Sequence, residues 1–297
     1  MQRLYDYFTD GIASKTLQSV GAEVETQFYD DIGFAISTET SQKMLGFLAK
    51  KGWWKIIEKK GYLITSLIDK EGNQINYELG RHNIEISTAP FGLEKIIIVT
   101  RSCLEQLYIS AETFGAKPYF APVFFDDGED LLVIPDERDA TWLQLDGRLA
   151  LAPLAKTSSV QFTLSVSPEE AILVLNRLGG KIDAFLSDYP QEDIWKRYIQ
   201  TSLAGYRPDR YGGPILFDSL GDYCSKIAKN DVVVGKELVP YKKVESLNIP
   251  LYLRSIWWYF RLKRYGNDLC VEVRPIPRKE DSQFDVQLKN VLEIVLG

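Results

Sequence analysis

Histidine is almost missing from this 297-residue chain: His82 is the only one. A metal site built on several imidazoles is therefore excluded. A Ser–His–Asp triad would have to use that one residue, and no Gly-x-Ser-x-Gly elbow supports it. Glycine-rich phosphate loops are also lacking, since neither Gly-x-x-x-x-Gly-Lys-Ser/Thr nor Gly-x-Gly-x-x-Gly occurs. Any nucleotide must be held without one. Cysteine is scarce and odd in number, and Cys103, Cys224 and Cys270 lie far apart. That favours reduced thiols in a cytoplasmic protein over a disulfide framework or a zinc knuckle. No apolar run reaches membrane-spanning length; Lys95-Ile96-Ile97-Ile98-Val99 is short and flanked by polar residues. Residues 1–7 lack the apolar run of a secretion signal. With a net charge of −6, nucleic acid finds no electrostatic support at the level of the whole chain.

Apolar material, by contrast, is abundant. Hydrophobic residues make up 45% of the chain, with 16 Tyr, 14 Phe and 6 Trp, enough for a sizeable core. No repeat, low-complexity tract or linker interrupts it, so residues 1–297 read as one domain. Hydrophobic spacing predicts helices over 5–17, 41–51, 93–113, 167–180, 191–203 and 216–228, with a terminal helix starting at Asp281 and Ser282. Strands are predicted over 20–28, 62–68, 74–79 and 158–166, with residues 256–262 leading through Arg261, Lys263 and Arg264 into a last strand at 269–274. Alternating strands separated by helices indicate an antiparallel sheet of the α+β class.

The last strand shows its faces most clearly. Leu269, Val271 and Val273 point one way, and Cys270, Glu272 and Arg274 point the other. Pro275 and Pro277 are expected to close it. Alone, Glu272 and Arg274 read as an ordinary ion pair. The first strand, however, repeats the design, with Val20, Ala22, Val24 and Phe28 opposite Gly21, Glu23, Glu25 and Gln27. Two glutamates two positions apart repel unless they are solvated or bridged by a cation. Residues 158–166 set Val160, Phe162, Leu164 and Val166 against Ser159, Gln161, Thr163 and Ser165. Glu78 and Glu85 are seven apart, which puts them on opposite faces of a straight strand; a bend at Gly80 would bring them to a common site. His82 between them reads as a structural hydrogen-bonder. The run Asp126-Asp127-Gly128-Glu129-Asp130 lacks calcium-loop spacing and reads as a solvated turn.

Carboxylates gathered on one sheet face suit a hard divalent cation, magnesium or manganese. Arginines beside them imply an anionic substrate carrying phosphate or carboxylate. The loop Gly205-Tyr206-Arg207-Pro208-Asp209-Arg210-Tyr211-Gly212-Gly213 has a composition suited to anion capture.

Five segments in order now form a pattern: Gly21-Ala22-Glu23-Val24-Glu25, Glu78-Leu79-Gly80-Arg81-His82-Asn83-Ile84-Glu85, Thr157-Ser158-Ser159-Val160-Gln161, Arg207-Pro208-Asp209-Arg210-Tyr211-Gly212-Gly213 and Val271-Glu272-Val273-Arg274. Together they resemble the glutamate–cysteine ligases and related carboxylate–amine ligases of the glutamine synthetase-like fold. The resemblance implies a curved, mainly antiparallel sheet with helices on its outer side, using ATP and magnesium, or manganese. It implies that Glu23, Glu25, Glu78, Glu85 and Glu272 bind metal, and that Gln161 lies near metal or nucleotide. Arg274 corresponds to an arginine contacting transferred phosphate and Arg210 to one holding the amino-acid substrate, with Arg81 a further candidate at the nucleotide. The implied reaction activates a carboxylate as an acyl phosphate, which an amine then attacks; in the glutamate–cysteine ligases the acid is glutamate and the amine cysteine. The alternatives are a ligase using another amine and a metal-dependent hydrolase on the same carboxylates. The expected partners are small molecules, with no nucleic acid and no membrane; the oligomeric state is left open.

Overall fold

The computed structural model describes residues 2–125, 130–133 and 137–297. The acidic run at 126–129 lies outside the described residues. The strands are β1 (Val20–Tyr29), β2 (Lys55–Lys60), β3 (Leu63–Ile68), β4 (Gln74–Tyr77), β5 (Asn83–Ser87), β6 (Lys117–Tyr119), β7 (Ser159–Ser165), β8 (Tyr211–Gly212), β9 (Val232–Val234), β10 (Glu237–Val239), β11 (Trp257–Trp258), β12 (Phe260–Tyr265) and β13 (Asp268–Pro277). The helices are α1 (Gln2–Thr9), α2 (Thr38–Lys50), α3 (Leu93–Thr113), α4 (Glu137–Asp146), α5 (Arg148–Leu151), α6 (Ala171–Gly179), α7 (Ile182–Leu186), α8 (Gln191–Thr201), α9 (Leu220–Ile227), α10 (Ile249–Arg254) and α11 (Phe284–Leu296).

Among the described residues, nine strands form one open antiparallel sheet in the order β12-β13-β7-β1-β5-β4-β3-β2, with β6 added against the end of β1. Period-two alternation explains its two faces. Val24 of β1, Ile84 and Ile86 of β5, Phe162 of β7 and Val271 and Val273 of β13 are fully or almost fully buried, in one apolar cluster with side chains of α2, α3, α6 and α11. Phe162 meets Phe284 of α11 with ring centroids 5.3 Å apart, and Phe28 meets Tyr108 of α3 at 6.4 Å. Each large side chain so buried contributes about 1.5–3 kcal/mol, which binds the helices to this face of the sheet. The opposite face is polar. No helix among the described residues is long and apolar enough to cross a membrane.

Several elements differ from expectation for identifiable reasons. The first helix stops at Thr9, because Gly11 takes a positive φ of 68° and Leu17 one of 56°. The segment after it joins the sheet end instead, where the Ala13 amide donates to the Asn267 carbonyl and that of Leu17 to Ser165. β13 runs on through both prolines: the ladder with β7 shifts register between Val273 and Ile276, so Pro275 falls in the irregularity and is asked for no ladder hydrogen bond. β2, rich in lysine and without an apolar stripe, has the composition tolerated at a sheet edge, and the alternation pattern misses it.

Residues 77–88 are not one bent strand but the turn and second arm of a hairpin. β4 and β5 pair with Asn76 opposite Glu85 and Tyr77 opposite Ile84. Gly80 makes the turn fit, since a Cβ there would lie 2.2 Å from the Ala155 carbonyl oxygen. We therefore expect Gly80→Ala to destabilise the fold by ~1–3 kcal/mol through overpacking against rigid backbone. Denaturant unfolding measures this, and an unchanged midpoint would show that the turn yields freely.

Candidate functional site

The polar face of the sheet is assembled by register. Glu23 of β1 lies opposite Gln161 of β7 on one side and Ser87 of β5 on the other. Glu25 lies directly opposite Glu85, and Glu272 of β13 opposite Thr163 of β7 and Arg261 of β12. One strip therefore runs from Arg261 and Lys263 through Glu272 and Arg274, then Gln161, then Glu23 and Glu25, to Glu85 and Asn76.

One end of this strip is acidic. Burial, then the charges of Glu78 and Glu85, push the Glu25 carboxyl well above the usual range, although the Ser159 amide donates to it at 2.8 Å. Burial, then Glu23 and Glu78, push Glu85 from its ordinary 4.5 up to about 8, against hydrogen bonds from Ser87 and from Asn76 at 3.1 Å. Gly80 and the hairpin thus do bring Glu78 within electrostatic reach of both. The donor chemistry, carboxylate oxygens of Glu25 and Glu85 crowded together without an ion pair to a described cation, fits a hard divalent ion. Among the described residues, however, no three His, Cys, Asp or Glu side chains stand in a ready-made metal-holding arrangement. An ion there would have to displace protons and draw mutually repelling groups together.

The other end is cationic. Glu272, with no exposure to water, contacts Arg261 and Lys263 closely and Arg274 at 3.2 Å. Burial would raise its carboxyl, but these three cations together hold it well below the usual range. Arg274 also donates to Gln161 Oε1 at 2.8 Å, and Lys263 Nζ lies 3.4 Å from Glu23. Arg261 is fixed further by the carbonyls of Leu253 at 2.9 Å and Ile256 at 2.8 Å. Glu272 therefore does not fit a metal ligand: its charge is already more than compensated.

Glu23, Glu25, Glu78, Glu85, Gln161, Glu272 and Arg274 are thus gathered on or beside one face. The other two expected residues are held differently. Arg210 is buried, donates to the Asp231 carbonyl and to Ser255, and stacks on Tyr206 and Trp257; burial lowers its pKa. Arg81 sits in the β4–β5 turn, its Nε donating to the Ile36 carbonyl at 3.3 Å. His82 is buried and hydrogen-bonds Gln27, the structural role its sequence context implies.

Two cavities flank the strip. One, of about 440 Å³, is lined by Glu23, Glu85, Arg254, Arg261, Lys263 and Tyr265 among others. The next, of about 670 Å³, is lined by Glu58, Tyr77, Glu78, Glu85 and Arg254. Arg254 lines both, and its side chain makes no hydrogen bond or ion pair to any described residue. A larger recess of about 1180 Å³ opens around Trp53, Lys95 and Val99 and shares no residue with the polar strip. Arg254, Arg261 and Lys263 are the residues that sequence reasoning left out of the site. The signal for two of them was present, as Arg261 and Lys263 are two apart just before the strand carrying Glu272.

The chain matches no family model and no curated protein. Among solved structures it is similar to the glutamate–cysteine ligase of Francisella tularensis in complex with AMP, at 11% identity over 90% of this chain and 62% of that one, with a TM-score of 0.47. A glutamine synthase homologue aligns at 12% identity over 99% and 57% of the two chains, with a TM-score of 0.42. A bifunctional glutathione synthetase of Pasteurella multocida aligns at 11% identity over 87% and 35%, with a TM-score of 0.43. The chain therefore spans between 35% and 62% of the length of these proteins.

The raised acids carry a pH signature. A carboxyl whose folded pKa exceeds its unfolded value favours the fold fully below the unfolded pKa, and that contribution is lost as pH rises through the folded one. For Glu85, faced by Glu23, Glu25 and Glu78, the window runs from 4.5 to about 8. Without divalent ions, the melting temperature should fall across that window, and Glu85→Gln should fall less steeply. Calorimetry in EDTA tests this; an equal or steeper fall in the variant would show that Glu85 carries no such burden.

Proposed function

We propose that this protein is an ATP- and magnesium-dependent carboxylate–amine ligase, joining glutamate to an amine, foremost cysteine, through an acyl phosphate. One observation carries the reading: a sheet face with crowded carboxylates at one end, three cations around Glu272 at the other, and a cavity of about 440 Å³ reaching both. Transfer of a phosphoryl group asks for that combination, because positioned opposite charges rather than covalent chemistry perform most of the catalysis. In this proposal residues 1–297 form one cytoplasmic catalytic domain, whose sheet curves with its helices on the outer side.

Glu25, Glu78 and Glu85 would hold magnesium or manganese, while Glu23 is paired with Lys263. When bound, the ion supplies charge neutralisation for the nucleotide phosphates. Arg274, which donates to Gln161 and contacts Glu272, would donate to oxygens of the transferred group, with Gln161 and Arg81 on the nucleotide side. Arg210 is engaged elsewhere by Asp231 and Ser255, so capture of the substrate's carboxylate would fall to Arg254. Glu272 acts by holding the cations, not by ligating metal.

The test is ADP release with ATP, magnesium, glutamate and a panel of amines. Release should require every component and vanish in EDTA. Arg274→Lys keeps the charge but loses the planar fork, and should slow turnover roughly tenfold to a thousandfold while nucleotide affinity changes less. Amide or phosphate-ester hydrolysis without ATP would assign the carboxylates to a metal-dependent hydrolase instead.

A further inference from the structure

The family resemblance implies that Glu23 and Glu272 both bind metal, yet the space between them holds a side-chain cation. Lys263 Nζ lies 3.4 Å from Glu23 Oε1 and also contacts Glu272 Oε1. Its side chain is 19% exposed, against 0% for that of Glu272. Strand geometry delivers it there: Arg261 pairs with Glu272 across β12 and β13, and Lys263, two residues on, shares its face. Arg261 cannot readily leave, because two backbone carbonyls also hold it. Arg274 occupies the remaining side, bridging Glu272 and Gln161.

Three cations here face two carboxylates, a surplus of positive charge before any ion arrives. A divalent ion would have to expel an ammonium from two anions in a water-poor setting, where like charges a few ångström apart cost several kcal/mol even at an effective dielectric of about 20. The acidic end shows the opposite condition. Glu25 and Glu85 have amide and hydroxyl donors from Ser159, Asn76 and Ser87, but no ion pair with a described cation. A lysine ammonium is a compact point charge with three donors, the side chain nearest in form to a small bound cation.

We propose that the Lys263 ammonium is a built-in substitute for a divalent ion between Glu23 and Glu272, confining metal binding to the end of the strip formed by Glu25, Glu78 and Glu85. The assignment refines the ligase reading and rests on it only for the metal at the acidic end.

Manganese binding to the full-length protein, counted by electron paramagnetic resonance, tests this for wild type, Lys263→Ala, Glu23→Gln and the double variant. Lys263→Ala opens the space and should bind one Mn²⁺ more per chain than wild type. Its melting temperature should rise more on adding Mn²⁺ than that of wild type, since a ligand bound only by the folded state stabilises it. Adding Glu23→Gln should abolish both gains, whereas Glu23→Gln alone should leave the wild-type count unchanged. An unchanged count in Lys263→Ala overturns the proposal, as does loss of one Mn²⁺ in Glu23→Gln alone. If Lys263→Ala fails to fold, the Glu23→Gln count decides. A wild type binding no Mn²⁺, with Lys263→Ala binding one, would uphold the substitution by lysine while removing the metal from the ligase reading.

Discussion

A carboxylate fully removed from water, Glu272, is the point on which the polar face depends. Burying an ion costs several kcal/mol, and only close, well-hydrogen-bonded partners offset that. Here the offset is spread over Arg261, Lys263 and Arg274, which arrive from two adjacent strands by register rather than by loop geometry. Arg261 also binds the carbonyls of Leu253 and Ile256, so the ion cluster ties the end of α10 and the segment after it to the sheet. Arg274 passes the order on to Gln161 on β7, and Lys263 reaches Glu23 on β1. Four neighbouring strands of the polar face are therefore linked through one anion, while their other faces rest on α3, α6 and α11.

The same alternation gives the opposite result two strands away. Around Glu25 and Glu85, β4, β5 and β7 contribute neutral donors: Asn76, Ser87 and the Ser159 amide. Such donors lower a carboxyl's pKa, but they do not cancel the desolvation and mutual repulsion that dominate here. Protons do the work that cations do at Glu272. Which charge state a buried carboxyl takes thus follows from the neighbouring strands, not from the strand that carries it.

That dependence sets what can be read from the linear chain. β1, β7, β13 and α3 were legible because alternation and helical spacing are local properties; Val24, Phe162 and Val271 announce their core face without knowledge of any partner. The gathering of Glu23, Glu25, Gln161, Glu272 and Arg274 was legible too, since each lies on the polar side of its own strand. Pairing was not. Nothing local says that β12 presents Arg261 opposite Glu272, and so the balance of charge that separates Glu272 from Glu25 stayed hidden. The β4–β5 hairpin was misjudged for a related reason. The close approach of the distant Ala155 carbonyl, which leaves no room for a Cβ at Gly80, is not visible in the local sequence. The surroundings of Arg210 were hidden too, because a loop rich in arginine and glycine looks open along the chain, whereas Tyr206 and Trp257 pack against its guanidinium.

The two ends also constrain what can lie across the strip. Negative charge on a ligand is favoured beside Arg254, Arg261 and Lys263, which line the smaller cavity, and is opposed beside Glu85 unless a cation or proton intervenes. A neutral or cationic ligand would leave the surplus charge at Lys263 unused and would gain little from the oriented Arg274. A monoanion could satisfy the basic end alone. An extended polyanion has a further gain open to it: phosphate groups beyond the basic end reach the acids, where a shared cation turns repulsion into attraction. Selectivity then follows from the spacing of charge along the strip more than from the identity of any one residue. In the ligase reading, that is why nucleotide and metal would bind at the acidic end together or hardly at all.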